Sequence, residues 1–150
     1  MAIFKKILVP TDFSECAANA LTHALELAGA LGASVTLLHV YEPPTYVGDV
    51  VVQMPGQEGL TVSEYIRTEA RHEMERFIKQ AKVPAGVQLE HRLEPGHHAT
   101  ALHKIAQDET FDLIVMGTHG RSGLAHAILG SVAEKLIRIA EIPVMVVRHS

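Results

Sequence analysis

The chain has 150 residues, of which 47% are hydrophobic and 20% charged, too apolar for a disordered chain and long enough to bury one well-filled core. Its 13 Lys and Arg against 17 Asp and Glu leave a formal charge of −4, which excludes the basic face that nucleic-acid binding needs. A single cysteine, Cys16, excludes an intrachain disulfide, and no apolar run reaches membrane-spanning length.

At the start, Lys5 and Lys6 precede only Ile7-Leu8-Val9 before Pro10. That run is too short for a signal-peptide core and reads as a buried strand, so a cytoplasmic location is expected. The turn Thr11-Asp12-Phe13-Ser14 leads into a helix with Ala17, Leu21, Ala24, Leu25, Ala28 and Leu31 on one face, stopped by Gly32. Cys16, just inside that helix, reads as a small packing residue. Val35 to Val40 is the second strand, where His39 is either a satisfied core histidine or a neighbour of a ligand. Tyr41 to Leu60 holds three prolines and three glycines and reads as a long irregular segment: a lid, an interface arm or a mobile stretch.

Thr61-x-x-Glu64 is a capping box for a second helix carrying Ile66, Ala70, Met74, Phe77, Ile78 and Ala81. After Pro84 and Gly86, Val87, Leu89, His91 and Leu93 alternate with Gln88, Glu90 and Arg92, the pattern of a half-exposed edge strand. Pro95-Gly96 turns into a helix with Ala101, Leu102, Ile105 and Ala106. Leu113 to Met116 is a central strand, and after a glycine loop and a fourth helix comes the last strand, Val144 to Val147. The order β-α-β-α-β-α-β-α-β implies one α/β domain over 1–150, a parallel sheet with helices on both faces. Ligands of such sheets bind beyond the carboxyl ends of the strands, at a topological switch point.

Two segments fall at that edge. One is Pro10 to Ser14. The other is Met116-Gly117-Thr118-His119-Gly120-Arg121-Ser122-Gly123, followed by Gly130-Ser131-Val132. Glycines leading into a helix N-terminus present free N–H groups and a positive dipole end, which bind anions, although glycines there also serve turns that need positive φ. Ser131-x-x-Glu134 reads as a capping box that starts the helix at Ser131, with Leu136, Ile137 and Ala140 continuing its apolar face. Glu134 would bring negative charge near bound phosphates, so Mg²⁺ is expected with any nucleotide. Asp12 either accepts from a ribose hydroxyl or an adenine amino group, or caps the first helix with Glu15. The final strand is apolar on both faces, and pairing of this edge with a twin subunit would remove an aggregation hazard.

Ten histidines invite a metal hypothesis. Neither His97, His98 and His103 nor His119 and His126 has a recognised ligand spacing, so no metal site is assigned. The Gly-x4-Gly-Lys-[Ser/Thr] motif is absent, as are a Ser-His-Asp order and a paired-carboxylate constellation, so no catalytic residue is assigned and turnover is expected to be slow or absent.

Taken together, Ile7 to Ser14, Leu38-His39-Val40, Asp112 to Gly120, Gly130-Ser131-Val132 and Pro143 to Val147 resemble the universal stress protein family over nearly the full chain. Gly117, Gly120, Gly130 and Ser131 fill the G-x2-G-x9-G-[S/T] signature of its ATP-binding branch. The resemblance implies a flavodoxin-like three-layer fold of the adenine nucleotide alpha hydrolase-like kind, strand order 3-2-1-4-5, and a homodimer through Val144–Val147. It implies ATP or another adenine nucleotide, with Pro10, Thr11, Asp12 and Val40 around adenine and ribose. Met116 and Gly117 would lie at the ribose and α-phosphate, and Gly120, Arg121, Gly130, Ser131 and Val132 at the phosphates. His119 departs from the arginine or other polar residue the family often carries, so a pH-dependent phosphate affinity is an expectation of the resemblance. The function implied is a nucleotide-responsive module that signals through Tyr41–Leu60 or the glycine loop. A slow ATPase or nucleotide-transfer enzyme, and a nucleotide-independent interaction module, are the alternatives.

Overall fold

In the computed structural model, which describes residues 3–43, 55–56, 59–119 and 129–148, four mainly apolar runs and one alternating segment become five parallel strands. They are β1 (Lys6–Pro10), β2 (Ser34–Tyr41), β3 (Leu89–Pro95), β4 (Leu113–Gly117) and β5 (Val144–Val147), ordered β3-β2-β1-β4-β5 as expected. The register sets Ile7 beside Val35 and Leu113, and Ile114 beside Val144. Four helices connect the strands: α1 (Glu15–Leu31), α2 (Val62–Lys79), α3 (His98–Asp108) and α4 (Ser131–Ile139).

Alternation along the strands makes two cores. Ile7, Val9, Val35, Leu37, Leu113 and Val115 face α1 and Met74 of α2, while Leu8, Leu38, Val40, Ile114 and Met116 face α3 and α4. The result is three layers, helices on each side of the sheet.

Local chemistry sets the helix ends. Ser14 caps α1 by accepting from Ala17 N–H, and Gly32 ends it in the left-handed conformation (φ 68°), donating to Ala28 O. Thr61 and Glu64 make both bonds of the expected capping box.

Several expectations need correction. Asp12 does not pair with Glu15 as a capping box, because Ser14 is the cap; Asp12 Oδ1 instead accepts from Ser14 N–H at 3.0 Å, an Asx turn that presents the cap. Ser131 is the first residue of α4, not its cap. Gly130 holds the cap position, with no side-chain cap bond, and its carbonyl accepts the first helical bond from Glu134 N–H. Ile137 is 47% exposed, so the buried face of α4 is Ala133 and Leu136. His91 is exposed rather than half-buried: β3 is the last strand of the sheet, and it is Leu89 and Leu93 on either side of His91 that pack against the core. Tyr41 completes β2 instead of opening the irregular segment, most of which lies outside the described residues.

Candidate functional site

Strand order reverses between β1 and β4, and a cleft opens at their carboxyl ends. It holds about 140 Å³ and opens to solvent. Pro10, Thr11 and Asp12 form one wall, Val40 lies beside them, Met116, Gly117 and His119 bring the end of β4, and Gly130, Ser131 and Val132 bring the start of α4. Every predicted site residue within the described segments lies in this cleft. Gly120 and Arg121, with Ser122 and Gly123, fall outside the described residues.

The first wall is held by backbone. Thr11, a buried residue, donates from its N–H to Leu38 O at 2.9 Å, and its hydroxyl accepts from Phe13 N–H. His39 donates from Nδ1 to Thr11 O at 2.7 Å and stacks on Phe13. It is therefore a hydrogen-bonded, partly buried histidine on the face opposite Val40, bonded to a residue of the cleft wall.

Thr118, which the sequence reading passed over, ties the second wall together. Its N–H donates to Val147 O at 3.1 Å and its carbonyl accepts from Gly130 N–H at 2.6 Å. Its hydroxyl lies 2.8 Å from His119 Nδ1 and 3.8 Å from Cys16 Sγ. One residue thus joins β5, the α4 cap and α1. Cys16 is buried, in line with its reading as packing. Gly117 has a packing reason as well as a place in the cleft: a Cβ there would meet the backbone carbon and oxygen of Cys16 at 3.0 Å.

Beyond the cap, the N–H groups of Ser131, Val132 and Ala133 find no acceptor within α4, whose first helical bond is made by Glu134. All three residues line the cleft, so its wall carries donors and the positive end of a helix dipole. Glu134 itself pairs with Arg138 at 2.8 Å, which offsets the negative charge expected to bear on a phosphate.

The remaining lining residues are Ala17, Leu38, His98, Leu102, Thr118 and Ala133. Leu38 shares a face with Val40 by the period of two, a signal that was readable. His98 and Leu102 come from α3, whose approach to the site is a tertiary fact without a local mark. Among the described residues no group of three or more His, Cys, Asp or Glu is placed to hold a metal ion.

The start of α3 has a cap borrowed from another strand. Glu42, just after β2, accepts from His97 Nδ1 at 3.2 Å and from His98 N–H at 3.3 Å. The His97 ring, and then the His98 amide, hold the Glu42 carboxyl below its ordinary value of 4.5. A carboxyl depressed on folding stabilises above its ordinary pKa, and the contribution is lost as pH falls through the lower folded value. Protection of the His98–Ala101 amides, corrected for their intrinsic exchange rates, is therefore expected to fall on acidification through that range, and the fall should be absent in Glu42→Gln. Identical pH profiles for the two proteins would remove Glu42 from this role.

Fold and cleft define an α/β protein with an open cleft at the switch point of a parallel sheet. The chain belongs to the universal stress protein family, whose family model matches residues 3–148. It is 36% identical to universal stress protein MJ0577 of Methanocaldococcus jannaschii over 98% of this chain and 96% of that one. The solved structure of MJ0577 superposes with a TM-score of 0.79 at 34% identity, covering 99% of this chain and 98% of that one. A universal stress protein solved in complex with cAMP superposes at 0.66 with 25% identity, covering 99% of both chains. Among the described residues no helix is long and apolar enough to cross a membrane.

Proposed function

We propose that this chain is a single-domain, cytoplasmic, ATP-binding universal stress protein that acts as a nucleotide-responsive module rather than an efficient hydrolase. One observation carries the reading: residues from the β1–α1 turn, β2, the end of β4 and the start of α4, chosen for a nucleotide, line one cleft. The cAMP complex of a relative supports an adenine nucleotide as the ligand class.

The donor set fits the group. Unbonded N–H groups at Ser131, Val132 and Ala133 suit phosphate oxygens, and the apolar Val40, Leu102 and Met116 suit a base. Mg²⁺ would ride on the phosphates and reduce their charge; the pairing of Glu134 with Arg138 removes the further need for it to offset that carboxylate. Nucleotide retained through purification, calorimetry with Mg-ATP, ADP, AMP and cAMP, and single-turnover hydrolysis test the proposal. No binding of any of the four would overturn it, and many turnovers per minute would make the protein an ATPase.

Asp12→Asn separates two roles of one side chain. Asparagine keeps the Oδ1 acceptor for Ser14 N–H but loses the charge. Stability should hold while ATP affinity falls about tenfold, the size of one charge-assisted bond. Unchanged affinity would leave Asp12 with only its turn role.

We further propose a homodimer through β5. Its outer edge has no strand partner among the described residues, and Met145 is 39% exposed there. Met145→Glu, at an exposed position, is expected to shift the sedimenting species from dimer to monomer with little change in Tm. A dimer retained by the variant would rule out pairing at this edge.

A further inference from the structure

The turn between β1 and α1 serves both faces of the sheet. Thr11 and Asp12 line the cleft on the α3/α4 side, whereas the ring of the next residue, Phe13, packs against the core on the α1/α2 side. Phe13 has φ 66°, a left-handed conformation unusual for a bulky side chain and held only where surroundings impose it. Described contacts do so. Its N–H donates to Thr11 Oγ1, Ser14 N–H donates to Asp12 Oδ1, and His39 Nδ1 donates to Thr11 O. The Phe13 ring lies 4.4 Å from that of His39 and meets Phe77 of α2 edge-on at 5.6 Å. Phe13 and Phe77, with Glu73, Arg76 and Gln80, also surround a surface hollow on the far side of the sheet from the cleft.

The peptide that walls the cleft is therefore bonded and stacked, without a break, to a helix on the other face. Coupling between sites is carried by such contiguous packed and hydrogen-bonded groups. We propose that the first βα turn couples occupancy of the cleft to α2 through Thr11, His39, Phe13 and Phe77, so that the hollow beside Phe13 reports what the cleft holds. The route differs from the Tyr41–Leu60 segment and the glycine loop, and it rests on the nucleotide site proposed above.

Hydrogen exchange of the full chain with and without Mg-ATP tests it, with calorimetry on the same samples. Amides of Glu73–Lys79 in the wild type should slow about fivefold on binding, the lower end of coupling between linked sites. In His39→Leu, which leaves the cleft lining unchanged, the slowing should vanish while ATP still binds. His39→Asn, whose side-chain N–H can reach the same carbonyl, should restore it. A folded His39→Leu that loses ATP affinity would make His39 a local support of the Thr11 wall and overturn the coupling. Bound ATP without slowing in the wild type, or equal slowing in His39→Leu, overturns the coupling. If the wild type binds no ATP, the nucleotide reading fails, and a ligand-free comparison decides the coupling alone. Thr11→Val, which deletes the acceptor of Phe13 N–H from the cleft side, should speed exchange in Glu73–Lys79 about fivefold; no change there overturns it.

Discussion

Gly117→Ala is expected to destabilise the fold by about 1–3 kcal/mol and to weaken ligand binding at the same time, although it adds only one methyl group. The added carbon would sit 3.0 Å from the backbone carbon and oxygen of Cys16, where nothing flexible can move aside. Relief requires α1 to shift away from β4. Both elements carry cleft residues, Ala17 on α1 and Met116 and Gly117 on β4, so the shift would reach the site. Gly29→Ala provides the contrast within the same helix. Its new carbon would meet Val87 and Pro84 side chains at 3.7 Å or more, ordinary contact distances, and replacing this glycine in the last turn of α1 should stabilise by up to about 0.5–1 kcal/mol. Denaturant unfolding of both variants measures the difference. A Gly117→Ala protein as stable as Gly29→Ala would mean that the α1–β4 approach is not a tight constraint.

That contrast also shows what the sequence made legible and what it did not. The strands could be read because Leu113 to Met116 and Ile7 to Val9 are apolar runs too short for helices, and Gly32 and Thr61-x-x-Glu64 mark helix ends by local chemistry. Once those elements alternate, the parallel sheet and its ligand edge follow from general rules of chain connection. Gly117 looked like part of an anion loop, whereas its contact with Cys16 spans separate elements and leaves no local trace. Thr118 escaped notice for a similar reason: its bonds to Val147, Gly130 and His119, and its contact with Cys16, are mostly long-range. The start of α4 misled differently. Gly130 and Ser131 are both acceptable caps, and the Ser-x-x-Glu spacing favoured the wrong one; in the structure Glu134 makes its side-chain bond to Arg138 instead.

The corrected start of α4 yields the sharpest test of the proposed site. With Gly130 as cap, Ser131 is the first helical residue, where proline is well tolerated because its missing N–H has no helical acceptor. Gly130 has φ −63° and ψ 153°, an extended conformation that a following proline accepts. Ser131→Pro should therefore fold with little loss of stability while removing one donor from the wall of the cleft. If that donor meets a phosphate, ATP affinity should fall about ten- to hundredfold, the equivalent of one hydrogen bond to a charged group. Ser131→Ala keeps the N–H and removes only the hydroxyl. It should cost no more than a few tenths of a kcal/mol in stability, against about 1 kcal/mol for the loss of a true capping serine. Adenosine, which has no phosphate, should bind the proline variant as well as it binds the wild type. Equal losses for ATP and adenosine would mean that the start of α4 shapes the cleft without holding phosphate, and unchanged ATP affinity would place the phosphates elsewhere.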